Sequence, residues 1–338
     1  CQKLVNKPKL VASNGKEIIP FSIPIVREIN PIFDTFSIIR LIFLINQIKP
    51  DVIHAHSAKG GVIARVASMF FKIKVLYTPH AFSYLSTDNK FKKFLYVTIE
   101  KVLRTKNTII LATSNSEKSQ AIQTVGYEKK KVFALKNAID KRSIGEDKDL
   151  EKILKSKRYI CTVGRPSFQK NLEMLIRAFE IVSKNNNKVH LFIIGAGEYS
   201  PRKVKIVNMI NKKNLSTRVT ILPWVSRKKV QTYIKNAMLY VSSSRYEGMP
   251  FSVIESMALS IPSVLTNTDG NRDLVIDKKS GYLVEIGDYV EMANNIINLL
   301  NKSELRKKLA FEANKLFIQN HLLPNYLQNL TAHYQKFS

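Results

Sequence analysis

At 338 residues the chain is too long for one ordinary hydrophobic core and fits two domains of about 150 residues each. Apolar residues make up 45% and charged residues 24%, which excludes an extensively disordered chain, and two distant cysteines, Cys1 and Cys161, exclude a disulfide scaffold or a cysteine metal site. The formal charge of +28 comes from Lys and Arg spread along the chain without interleaved aromatics, which argues against nucleic acid and leaves anionic substrates, an anionic membrane surface or lysine-rich composition.

The chain begins with Cys1, as a processed lipoprotein would, but its remainder reads as cytoplasmic, so a fragment is the expected explanation. No segment reaches the ~18 uninterrupted apolar residues of a spanning helix. The nearest, FSIIRLIFLINQI (36–48), is broken by Arg40 and Asn46 and predicts a buried or half-buried helix of a first domain, with docking on a membrane surface as the alternative. From residue 51, short β-rich runs alternate with helical periods. DVIHAH, KVLYT, TIILAT and KVFALKNAI read as strands, separated by the helical GVIARVASMFF, FKKFLYVTIEKVL and SEKSQAIQTV.

Residues 141–157, KRSIGEDKDLEKILKSK, interrupt the pattern and predict a linker. Asp147 and Asp149 have a spacing that some sugar-nucleotide enzymes use for a metal. No apolar strand precedes them and lysines surround them, so they read as solvated and no metal is predicted. The alternation then restarts, with strands in RYICTVG, VHLFIIGAG, RVTILPW, MLYVSSS, PSVLT and GYLVEI, helices between them and two Leu/Ile-rich helices at the end. The expected architecture is α/β, two tandem Rossmann-like doubly wound domains facing across a cleft. The boundaries are 1–140, a linker at 141–157, and 158–320, with 321–338 a helix packing back on the first domain.

The informative loops follow strands of the second half. After RYICTVG, Arg165 and Lys170 offer a planar fork and a point charge to phosphate oxygens, although a basic loop in a basic chain can be mere surface. Gly195 and Gly197 lack the third glycine of a dinucleotide fingerprint. In SSRYEGMPFSVIE (243–255), a strand gives way to a turn and a helix, and two carboxylates flank the turn. Ser252 and Glu255 have capping-box spacing, which gives Glu255 a purely structural alternative. No cap calls for Glu247. Free amides after Pro250 would form an anion site, and carboxylates on either side suit the hydroxyls of a ligand with phosphate at its middle, as in a nucleotide sugar.

S-R-x-E-G-x-P-x-S-x-x-E, preceded by G-R-x4-K-N, resembles the retaining glycosyltransferases of family 4, which have the GT-B fold. REINP, DVIHAHSAKGGVIAR and YTPHAF are similar to the branch that builds bacterial capsule, exopolysaccharide and O-antigen units. The resemblance runs from about residue 25 to the end. It implies that Glu255 binds the ribose hydroxyls, Glu247 the donor sugar, and Arg165 with Lys170 the diphosphate. The segment Gly248, Met249, Pro250, Phe251 and Ser252 would complete the phosphate cradle. His80 would lie near the reacting sugar, and His56 with Ser57 would line the acceptor side of the cleft. His54 shares a strand face with His56 but is not expected in the cleft.

The implied reaction transfers a sugar, from a UDP-sugar by preference, to a lipid-linked or polysaccharide acceptor with retention of anomeric configuration. It needs no metal or other cofactor. The implied setting is the inner face of the cytoplasmic membrane, where the basic surface would meet anionic lipid. Two departures stand out. Ala81 replaces the glycine usual after the histidine of TPH, and the family's opening strand, Gly-rich loop and helix have no counterpart, so a fragment with an intact donor half and an impaired acceptor half is expected. A sugar-nucleotide epimerase, another enzyme of the same fold, or a basic membrane- or nucleic-acid-binding protein are the competing readings.

Overall fold

The computed structural model describes residues 10–12, 15–26, 29–197 and 200–338; Cys1 and the Arg27–Glu28 pair of REINP lie outside them. A short antiparallel pair, β1 (Leu10–Val11) and β2 (Glu17–Ile18), precedes α1 (Pro31–Ile48). Proline at the start of α1 and Asn30, which accepts from the Phe33 amide, set where this helix begins. The helix is long and apolar enough to cross a membrane by length and composition. It packs along the next helix, α2 (Ser57–Ser68), burying Ser37 and Ile45, while Ile32, Phe36 and Phe43 stay exposed. The expected buried helix is therefore buried along one stripe only, because its apolar residues run all the way round.

The first sheet is parallel, in the order β3 (Val52–His56), β4 (Lys74–Thr78), β5 (Thr108–Ala112), β6 (Val132–Ala134). Val75, Leu76 and Tyr77 have no exposed surface and neither do Ile110, Leu111 and Ala112, as expected of strands covered on both faces. Two further helices, α3 (Lys90–Val102) and α4 (Asn115–Gln120), follow β4 and β5. Among the apolar residues lies a buried charge. Arg65 Nη1 is 2.9 Å from Glu100, its guanidinium stands 4.4 Å from the Tyr77 ring, and the Tyr77 hydroxyl donates to Glu100 at 3.1 Å.

Within residues 141–157 a short helix, α5 (Lys148–Leu154), forms with Asp147 as its N-cap, and Leu154 is buried. Capping accounts for Asp147, and Asp149 is open to solvent beside Lys152. The second sheet follows, six parallel strands in the order β12-β11-β10-β7-β8-β9. These are β7 (Tyr159–Val163), β8 (His190–Ile194), β9 (Val219–Leu222), β10 (Leu239–Ser242), β11 (Ser263–Thr266) and β12 (Tyr282–Val284). The chain winds outward from β7 through β8 to β9, then returns to the other side of β7 with β10. The helices that follow β7 and β10 pack in different core clusters, on opposite faces of the sheet, so this is its switch point, the usual ligand position in such folds.

Helices α6 (Leu172–Asn185), α7 (Lys203–Lys212), α8 (Arg227–Lys235), α9 (Phe251–Ala258), α10 (Asn271–Leu274), α11 (Tyr289–Asn301) and α12 (Ser303–Asn320) complete this unit. The last helix, α13 (Leu323–Phe337), crosses back to the first sheet, where Tyr326, Leu330, Tyr334 and Phe337 pack against Leu76, Ile109, Leu111 and Leu135. Its crossing strand pairs Leu322 with Ile139, through Ile139 N–H to His321 O at 3.0 Å and Leu323 N–H to Ile139 O at 3.1 Å. The chain thus passes between the two units twice, side by side.

Candidate active site

The loops after β7 and β10 carry side chains 77 residues apart into direct contact. Lys170 Nζ lies 2.7 Å from Glu247 Oε1, which also accepts from Ser244 Oγ at 2.7 Å, while Gln169 Nε2 donates to Glu247 Oε2 at 3.2 Å. The backbone joins the loops as well, with Arg245 N–H donating to Gln169 O at 2.7 Å and Ser243 Oγ donating to the carbonyls of Lys170 and Asn171. Asn171 turns into α6 with φ 46°, a left-handed conformation that asparagine tolerates, and this explains the Lys-Asn pair of the loop. Gly164 has φ 150°, and a Cβ there would come within 2.7 Å of Lys170 Cε, so only glycine lets the lysine fold back over the strand end. Arg165 is half-buried on the same loop.

Helix α9 starts at Phe251 with Pro250 as N-cap and no side-chain cap. Ser252 instead accepts from Tyr240 Oη at 2.7 Å, and Glu255 accepts from Arg227 Nε at 3.0 Å and Gln231 Nε2 at 3.2 Å. The capping box suggested by their spacing therefore does not form, because the proline starts the helix two residues too early for Ser252 to cap it. Both Glu247 and Glu255 are buried, each beside a cation, and the intervening Gly248, Met249 and Pro250 are buried too. Beside Glu255 opens a cavity of about 510 Å³, bordered by Ile139, Asp140, Arg227, Phe251 and Leu323. A larger one, about 600 Å³, lies at the opposite ends of the strands, between Ile153, Lys157, His190 and Tyr233. No carboxylate lines it, so cavity size alone does not locate the chemistry.

Across the crevice, β3 ends in His56, and His80 stands two residues beyond the end of β4. His56 Nδ1 is 3.0 Å from His80 Nε2, and His54 is bracketed by Tyr334 Oη at 2.8 Å and Thr78 Oγ1 at 2.9 Å. Burial and the neighbouring imidazoles push His54 and His80 down to about 4, although the outer edge of His80 meets solvent; burial also lowers His56. At neutral pH this wall is uncharged, and the His56–His80 contact is one ring N–H donating to a ring nitrogen. Ser57 is exposed at the start of α2 with φ 64°. His80 and Ala81 are consecutive left-handed residues with φ 55° and 78°, each costing about 1–2 kcal/mol in a residue that is not glycine.

Gly248 abuts this turn. A Cβ on it would lie 2.9 Å from Ala81 N and from His80 C, so the two walls meet backbone to backbone where the loop passes Glu247. Further contacts tie them together. Asn137 Nδ2 donates to Met249 O at 2.8 Å, the Ser116 amide donates to Asp273 at 2.9 Å, and Gln120 donates to Asp269.

The structure thus gathers Lys170, Glu247 and residues 248–252 into one loop cluster, sets Glu255 one helical turn further along, and places His80 and His56 opposite. Sequence reading passed over Gln169, Ser244, Arg227, Glu117, Asn137 and Asp273. Only Ser244 carried a local signal, as the last of three serines leaving an apolar strand.

A family model described as Glycosyltransferase Family 4 matches residues 7–142, and one described as Glycosyl transferases group 1 matches residues 143–316. The UDP-Gal:alpha-D-GlcNAc-diphosphoundecaprenol alpha-1,3-galactosyltransferase of Escherichia coli is 29% identical over 297 residues, covering 84% of this chain and 76% of that protein. The capsular polysaccharide biosynthesis glycosyltransferase CapM of Staphylococcus aureus is 28% identical over 327 residues, 90% of this chain and 83% of its own. Among solved structures, a sucrose-phosphate synthase from Thermosynechococcus elongatus superposes with a TM-score of 0.86 at 17% identity, over 98% of this chain and 86% of that one. HepE from Anabaena in complex with UDP and glucose does so with 0.78 at 18% identity, over 89% and 81%. With more than half its length matched by the second model, the chain belongs to the group 1 glycosyl transferases, and its two Rossmann-like domains form the GT-B fold.

Proposed function

We propose that the protein transfers a sugar from a UDP-sugar to a lipid-linked or polysaccharide acceptor, with retention at the anomeric carbon and without a metal or other cofactor. The observation that carries this reading is the meeting of Lys170 and Glu247 from two loops at the sheet's switch point, beside an uncapped helix start and opposite His80. A diphosphate needs cations and free amides; a sugar needs a carboxylate. Lys170, Arg165 and the first amides of α9 supply the former, stabilising charge that builds on the leaving group as the bond to the sugar breaks. Glu247 accepts from donor-sugar hydroxyls and Glu255 from the ribose, taking over the interactions each now makes with its neighbouring cation.

In the proposed step, the acceptor hydroxyl approaches the anomeric carbon from the face the diphosphate leaves. The new carbon–oxygen bond forms as the old one breaks, and the hydroxyl proton passes to the departing phosphate oxygen. His80, neutral at pH 7, serves as a hydrogen-bond partner for the donor sugar and carries no charge to the reaction. The E. coli relative is named for UDP-Gal and a diphosphoundecaprenol acceptor, which supports a uridine donor and a membrane-borne acceptor here. A chain with a charge of +28 would be held near the anionic inner leaflet by the same chemistry.

The test is thermal melting with UDP, GDP and ADP, for wild type and Glu255→Ala. Loss of a charged hydrogen bond to the ribose costs about 1.5–3 kcal/mol, so the shift with UDP should disappear in the variant. A shift that persists in Glu255→Ala, or that is the same for all three nucleotides, would sink the reading.

A further inference from the structure

We infer that Glu117 is a positioning residue: its buried carboxylate holds the left-handed His80–Ala81 turn in the shape that presents His80 to the donor loop. The inference rests on the reading of His80 as a group that meets the donor sugar. Glu117 is 3% exposed, and its two oxygens divide between two backbone segments. Oε1 accepts the Ala81 amide at 2.6 Å, 36 residues back along the chain. Oε2 accepts the Thr113 amide at 2.6 Å and the Thr113 hydroxyl at 3.0 Å. Ser114 in turn receives the Glu117 amide at 3.0 Å, which fixes the residue on the first turn of α4.

The turn needs this support. His80 and Ala81 both have positive φ, and Ala81 has a Cβ that opposes such a conformation. Short hydrogen bonds to an ionised acceptor are the strong kind, and here one falls on the amide of the strained residue itself. The other side of the turn is closed by Gly248, whose Cα leaves no room for a side chain against Ala81 N, His80 C or Thr113 Oγ1. The turn is therefore clamped, with Glu117 behind it and the loop bearing Glu247 in front. His56 then sets the ring of His80, while Glu117 sets the backbone that carries it.

A glutamine at this position keeps the shape and reverses half the chemistry. Its carbonyl can serve the Ala81 amide or the Thr113 amide but not both, and its NH2 must face the amide that is left, donor against donor. One buried donor without an acceptor is worth roughly a 10- to 100-fold change in an equilibrium. Most of that falls on the turn, which has non-strained conformations to relax into.

The experiment measures kcat, the donor KM and the UDP melting shift for wild type, His80→Ala, Glu117→Gln, Ala81→Gly and the double variant Glu117→Gln/Ala81→Gly. Glu117→Gln is expected to lower kcat roughly 10- to 100-fold with the UDP shift unchanged. Ala81→Gly removes the Cβ penalty and should restore most of that loss in the double variant, which a merely structural role for Glu117 would not produce. If Glu117→Gln gives no soluble protein, Glu117→Asp keeps the buried charge while drawing it back, and should show the same split at smaller size. A kcat unchanged in the Glu117 variant while His80→Ala is impaired overturns the inference and leaves the donor-site reading standing. So does a loss that Ala81→Gly fails to rescue. If His80→Ala is fully active, the reading of His80 fails and the inference falls with it.

Discussion

The C-terminal wall of the crevice presents paired charges, Lys170 with Glu247 on the loops at the switch point of a six-stranded sheet and Arg227 with Glu255 on the helices beside them. The N-terminal wall presents three neutral histidines, His54 and His56 on extended β3 and His80 on a left-handed turn just beyond β4. On the proposed reaction, the difference follows from two jobs. A diphosphate leaving group needs fixed charge, and charge is best fixed where short loops from adjacent strands converge. A sugar poised between domains needs hydrogen bonds of fixed direction, which uncharged rings supply without attracting the wrong ion. The N-terminal unit also buries an ion pair in its core, Arg65 with Glu100.

That contrast can be broken from either side. The largest effect is expected for Glu100→Ala, which strands the Arg65 guanidinium among apolar residues with only the Gly61 carbonyl, the Tyr127 hydroxyl and the Tyr77 ring near it. Removing one partner of a buried pair costs about 3–5 kcal/mol. Urea unfolding followed domain by domain should show the N-terminal transition move to lower urea while UDP still shifts the C-terminal one. If UDP binding is lost as well, the two walls do not stand independently.

Next in size is Lys170→Ala, which leaves Glu247 buried with its Ser244 and Gln169 contacts and removes a cation that the proposed reaction sets against the diphosphate. Loss of such electrostatic stabilisation lowers kcat by about 100- to 1,000-fold. Lys170→Arg keeps the charge but not the point geometry, so it should recover only part. Turnover at saturating donor is the measurement, and activity within a few-fold of wild type would show that charge on this wall is not what drives departure of the diphosphate.

The same contrast explains what could be read from the sequence. Glu247, Glu255, Arg165 and Lys170 each sit in a local strand-loop-helix segment, and the alternation of elements that predicts a doubly wound sheet also predicts that such loops converge. The partners of the other wall are distant. His54 meets Tyr334 across 280 residues, and Ala81 meets Glu117 through a carboxylate that on its own looks like an ordinary first-turn glutamate. The Ser252–Glu255 spacing misled because Pro250, a stronger helix starter, had already fixed the first turn. The exposure of α1 was equally hidden: Phe36 and Phe43 read as core because apolar residues usually are, and periodicity that runs all round a helix does not say which side is covered.

The smallest effect, and the one that isolates the neutral wall, is on pH. His54 and His80 are pushed down to about 4 in the folded chain, against about 6.5 when unfolded. Between those values the unfolded chain binds protons that the folded chain refuses, so stability is full above pH 6.5 and falls as the pH drops toward 4. Each fully excluded proton contributes at most about 1.4 kcal/mol per pH unit, less for His80, whose edge meets solvent. His190, His321 and His333 are lowered too and add to the same slope from outside the crevice. Glu117 and Asp269, raised by burial, act in the opposite sense, since above the usual carboxylate value the folded state takes up their protons first. Wild type alone therefore cannot assign the slope, whereas His54→Gln can. The substituted amide has no titration and reaches toward Thr78 and Tyr334 as the imidazole does. Unfolding free energies at pH 7.0, 6.0 and 5.0 should fall less steeply in the variant, by up to about 2 kcal/mol over the range. Parallel slopes would mean that His54 takes up its proton in the folded wall as readily as in the unfolded chain, and that this side of the crevice gains charge as the pH falls through the usual histidine range.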